Sequence, residues 1–218
     1  ILWVVDLIPA GLTETYFITA SFAGSEYYFS AEGQGEFVLQ SAKQLKRNTL
    51  AKLNVIKSDN KQAQKEIDKA IKNIGESLAS ELWVGASRLE EQHGHKVFDN
   101  EKQAIKNLLK IIEEKGKHDN PEIVTALQAV INNLVKVDIL LAKVAIFDAE
   151  SIEADDTDLQ KKIDDEINKA KEELEKALQK IADGNPDKAI DDLKASWKSA
   201  QLVIDFLLDK TNRWRNYF

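Results

Sequence analysis

The chain contains no cysteine and no methionine, and only three prolines and three histidines in 218 residues. Without cysteine there is no disulfide framework, no thiol nucleophile, no thiolate zinc site and no iron–sulfur ligation. The missing methionine extends to position 1. The expectation is therefore a chain that begins after processing or was cut from a longer one. No hydrophobic run is long enough to cross a bilayer. The apolar opening Ile1-Leu2-Trp3-Val4-Val5-Asp6-Leu7-Ile8-Pro9 is too short and is interrupted by Asp6 and Pro9. It also lacks the basic flank of an intact signal peptide. No Asn-x-Ser/Thr acceptor occurs. Basic charge is outweighed, with 30 Lys and Arg against 37 Asp and Glu, a net charge of −7. The lysines alternate with acids along the chain instead of clustering. Nucleic acid is thus not an expected partner, because phosphate binding rests on concentrated basic charge.

What remains is a change of texture near residue 35. Before it, β-branched and aromatic residues dominate. Val4 to Ile8 and Thr15 to Phe22 read as strands, the second alternating Tyr16, Ile18, Ala20 and Phe22 on one side, and Tyr27 to Ser30 suits a third. Pro9-Ala10-Gly11, Gly24-Ser25 and Gly33-Gln34-Gly35 read as turns. After the break, apolar residues recur every three or four positions almost to the end, the helical period. Hydrophobic residues make up 43% of the chain, enough for those helices to bury a core of their own.

Six helical segments follow. Phe37 to Ile56 carries Val38, Ala42, Leu45, Leu53 and Ile56 on one stripe. A second segment follows the cap Ser58-Asp59-Asn60 with Ala63, Ile67, Ala70, Ile74 and Leu78. Residues 85–97 read as irregular. The third segment is expected after Asp99 as N-cap, with Phe98 as hydrophobic staple and Gly116 as C-terminal stop. Asn120-Pro121-Glu122 opens the fourth, which runs to about Glu150. It is apolar on most sides from Val135 to Phe147, as a buried central helix would be. Thr157 and Gln160 form a capping box for the fifth, which Gly184 ends. Asn185-Pro186 opens the sixth. The fold expected is mainly α: an antiparallel bundle of five to six helices (35–218) behind a small N-terminal β segment (1–34).

Two resemblances add to this. Val5-Asp6-Leu7, the run from Thr15 to Gly24 and Tyr27-Tyr28 resemble the closing strands of immunoglobulin-like surface repeats of bacteria and archaea. Ser77 to Trp83, Gly94 to Asp99, Val137 to Ala142 and Gly184 to Ile190 resemble a helical module that recurs in secreted and cell-surface proteins of archaea and bacteria and has no assigned activity. The second resemblance implies an extracellular or cell-surface location and a bundle fold, and it brings no catalytic residues.

Few residues suggest chemistry. His93-Gly94-His95 with Asp99 is the one group with metal-ligand character, since two imidazoles and a carboxylate can hold a divalent ion. The same residues also suit a polar surface loop. Asp138 falls on the apolar stripe Leu127, Ile131, Leu134, Leu141 and Ala145 of the fourth segment, so its carboxylate must be paired, hydrogen-bonded or protonated. Asp155-Asp156-x-Asp158 lacks the glycine of an EF-hand loop and reads as an acidic first turn. Phosphate-loop, dinucleotide, nucleophile-elbow and zinc-protease motifs are absent. The expected function is a non-enzymatic structural or interaction module without cofactor. Its partners would be other protein chains, or copies of itself, met through Val4, Tyr16, Ile18, Phe22, Tyr27 and Tyr28. The alternative is a bundle that binds a small ligand or metal.

Overall fold

The computed structural model describes residues 13–22, 31–113 and 120–215. The elements are β1 (Thr13–Phe22), β2 (Ala31–Gln40), α1 (Ala42–Asn54), α2 (Lys61–Ser77), α3 (His95–Glu113), α4 (Pro121–Glu150), α5 (Thr157–Ala182) and α6 (Pro186–Arg215). A single 3-10 turn, Ser80–Leu82, interrupts the connection from α2 to α3. The described residues are thus mainly helical, with six helices. The expected strands at Val4 to Ile8 and Tyr27 to Ser30 lie outside the described residues, as do Gly116 and the interaction residues Val4, Tyr27 and Tyr28.

β1 and β2 form an antiparallel pair in which Tyr16 stands opposite Phe37, Ile18 opposite Gly35 and Phe22 opposite Ala31. The expected break at residue 35 falls inside β2. Gly33 and Gly35, read as turn residues, occupy positions within the strand, where a glycine leaves a place without a side chain. The first helix consequently starts at Ala42 instead of Phe37. Ser41, in extended conformation, accepts a hydrogen bond from the Gln44 N–H and caps it.

α4 lies at the centre and packs on α1, α3, α5 and α6. Leu127, Ile131, Leu134, Leu141 and Ala142 are buried along it. It is not apolar all round, because Lys136, Lys143 and Phe147 are exposed. Its start is as the sequence predicts, with Pro121 in the first turn and the Asn120 side chain accepting from the Glu122 N–H. α5 and α6 form the long antiparallel hairpin, turned at Gly184, whose φ of 76° suits glycine. Small residues let these two helices approach closely. Ala170, Ala177, Ala189 and Ala200 are buried, and Ser196 Oγ donates to the Ala170 carbonyl at 2.7 Å. The cap of α5 is Asp156, which accepts from the Leu159 N–H, and not Thr157. Gln160 turns back to accept from the Ala154 N–H.

α3 departs most from expectation. It begins at His95, one turn before Asp99, so Phe98 and Asp99 lie inside the helix. Phe98 is fully buried against Trp197 of α6, ring centroids 5.9 Å apart. The cause lies at Gly94. A Cβ there would meet the Glu90 carbonyl and would lie 2.6 Å from Leu89 Cβ and 3.1 Å from a Trp197 ring carbon. Only glycine lets the chain turn into the helix this close to the core.

A buried lysine and two carboxyls between helices

The connection from Leu78 to Gly94 folds over the N-terminus of α1. Trp83 and Leu89 bridge as an antiparallel pair, and Gly85 takes the left-handed turn at φ 85°. The Ala86 carbonyl and the Ser87 hydroxyl accept from the first amides of α1, those of Lys43 and Ala42. Trp83 is fixed from the other side, its indole N–H donating to the Ser77 carbonyl at 2.8 Å. Under this connection, three ionisable side chains have no exposure at all: Lys46 of α1, Glu101 of α3 and Asp138 of α4.

Helical spacing puts them there. Lys46 occupies the buried stripe Ala42, Lys46, Thr49, Leu53. Glu101 lies between Val97 and Ile105 on the buried face of α3. Asp138 lies between Leu134 and Leu141 on α4. Lys46 Nζ meets the Glu101 carboxylate and sits 4.7 Å from the centroid of the Trp83 ring. Lys43 Nζ lies over the same ring at 5.4 Å. Burial holds the Asp138 carboxyl well above the ordinary carboxylate range. The adjacent Glu101 carboxylate adds to the rise by its charge and by a shared hydrogen bond, and Lys46 opposes it. Beyond these mutual contacts, none of the three side chains has a hydrogen-bond partner. Such a cluster is expensive to bury, since several kcal/mol of hydration are lost for each ion.

The expected metal ligands are not assembled. Asp99 pairs with Lys194 of α6 at 2.6 Å. His93 pairs with Glu90, whose carboxylate also accepts the His93 backbone N–H. His95 opens α3. Among the described residues no three His, Cys, Asp or Glu side chains converge on a point that could hold a metal. Asp148 does not join Asp138; it makes a two-pronged ion pair with Arg88, at 2.6 and 2.8 Å. Beside that pair runs a shallow cleft of about 160 Å³ floored by Leu89, Leu141 and Trp197. At its rim, Asp205 raises the Glu91 carboxyl by a shared hydrogen bond and like charge. Of the expected interaction residues, Tyr16, Ile18 and Phe22 lie in β1.

Asp138 was recognisable from the sequence; Lys46 and Glu101 were not. Their signal was periodic: each sits four residues after a buried position of its helix, Ala42 and Val97. No family model, curated protein or solved structure matches the chain. Among the described residues, no helix is long and apolar enough to cross a membrane.

Proposed function

We propose that this chain is a non-enzymatic structural or interaction module of an extracellular or cell-surface protein, and that it associates with other chains through its N-terminal strands. The observation that carries this reading is the two-stranded sheet. Among the described residues β1 pairs only with β2, over ten residues each. Among the described residues each strand thus has one edge of backbone N–H and C=O groups with no described strand beside it. Such edges are templates for pairing with another chain. Two strands alone are also marginal in water and gain stability from added strands. The helices, by contrast, bury a continuous core of their own. The location follows from the resemblance of the four helical stretches to surface modules.

The test is a strand-breaking substitution. Ile18→Pro removes a backbone donor and fixes φ within β1. It is expected to reduce the native mass measured by light scattering while leaving the helical circular dichroism unchanged. An assembly of unchanged mass would rule out strand pairing as the mode of association.

A further inference from the structure

We propose that Lys46 and Glu101 join covalently, through an amide bond between Lys46 Nζ and Glu101 Cδ, so that α1 and α3 become linked inside the folded protein. The inference rests on the buried cluster and is independent of how the N-terminal strands associate. Three observations support it. Amine and carboxylate touch with no exposure to solvent. Lys46 Nζ has no other hydrogen-bond partner that would hold it away from Glu101. A third group, the Asp138 carboxyl, shares the same solvent-free site beside Glu101 and is raised by burial and by the Glu101 charge. Trp83 covers the amine with a ring face that offers no hydrogen-bond acceptor, keeping water out and the nitrogen in place.

The chemistry balances without a cofactor. In an apolar site a proton passes from the ammonium to the carboxylate, because two neutral groups cost less to bury than two ions. The amine lone pair then attacks Glu101 Cδ. Asp138 protonates the carboxyl oxygen on which negative charge develops and accepts a proton from the attacking nitrogen. Asp138 then hands a proton to one hydroxyl of this adduct and takes one from the other, so that the first leaves as water and the second becomes the amide carbonyl; one C–O bond is broken, one C–N bond is formed, and Asp138 regains its original state. Ammonium and carboxylate become amide and water. Holding the reactants in contact replaces a bimolecular encounter by a local step, the largest single advantage such a site can offer. The product also relieves the folded state of a buried ion pair.

Intact-mass spectrometry of the purified full chain under denaturing conditions tests this. The expected mass is lower than that of the sequence by one water molecule, and proteolysis is expected to yield a branched peptide joining Lys46 to Glu101. Lys46→Met is expected to show the full sequence mass. Asp138→Asn keeps both reacting groups but cannot relay the proton. Its freshly purified, folded form is expected to lose water about a hundredfold more slowly or not at all, with unchanged circular dichroism. A wild-type chain that keeps its full mass after prolonged folded incubation overturns the proposal. So does water loss mapped to any other pair of residues, Lys46 with Asp138 included.

Discussion

Replacing Gly94 by alanine tests the packing that closes the 78–94 connection over the buried cluster. The methyl group would meet the Glu90 carbonyl, Leu89 Cβ at 2.6 Å and a Trp197 ring carbon at 3.1 Å. Two of these neighbours cannot swing aside, one being backbone and the other a Cβ. Leu89 and Trp197 are also buried, so relief must come from a shift of the chain against α6. Overpacking of this kind costs about 1–3 kcal/mol, and with a rigid neighbour on two sides the upper end is expected. Gly75 is the internal control. It lies in α2, exposed, with nothing within 4 Å of where a Cβ would stand. There alanine restricts the unfolded chain and favours the helix by about 0.5–1 kcal/mol. One substitution type is thus expected to have opposite signs at two positions. Urea unfolding followed by far-ultraviolet circular dichroism measures both. A Gly94→Ala protein as stable as the wild type would refute the close approach of α3, the connection and α6.

Glu66 of α2 is held below the ordinary carboxylate range by its hydrogen bond from Lys69, with help from Lys110. Its stabilising effect is complete above the unfolded-state value and disappears as pH falls through the folded one. Glu66→Gln is expected to cost about 1 kcal/mol at neutral pH and to flatten the acid side of the stability profile, read from unfolding curves at successive pH values. Replacing Lys46 by Met together with Glu101 by Leu separates an ion pair from a covalent link. An ion pair replaced by apolar groups leaves stability unchanged or higher. Loss of a bond closing the loop from Lys46 to Glu101 removes about 4 kcal/mol by loop-closure entropy, and a loss is what chemical denaturation is expected to show. Arg88→Ala removes an exposed ion pair with Asp148 and is expected to cost no more than about 1 kcal/mol, checked by the same unfolding assay.

The helices that begin with explicit chemistry were legible in the sequence. Asn120-Pro121 and Asn185-Pro186 mark the starts of α4 and α6 to the residue, because a proline in the first turn has no alternative helical position. The start of α3 was not legible. Asp99 has the chemistry of a cap, but Gly94 begins the helix earlier for a reason of space that only the positions of Leu89 and Trp197 disclose. That displacement hid Glu101. Counted from Asp99 it is an acid in a first turn, whereas counted from His95 it falls on the buried face. Lys46 was hidden by chemistry instead of register, since a lysine on a helix ordinarily lies in solvent. Asp138 was visible because strongly apolar neighbours surround it at helical spacing. Of the residues read as metal ligands, Asp99 is engaged by Lys194 and His93 by Glu90, pairings between distant or neighbouring elements that spacing alone does not disclose.

Association through the N-terminal strands is tested most directly by the native mass of the full chain beside that of a chain lacking residues 1–40. The expected result is a 218-residue species heavier than one 24.5 kDa chain, and a truncated species that is a single folded helical chain. A 218-residue chain that remains a single chain at every concentration would contradict it.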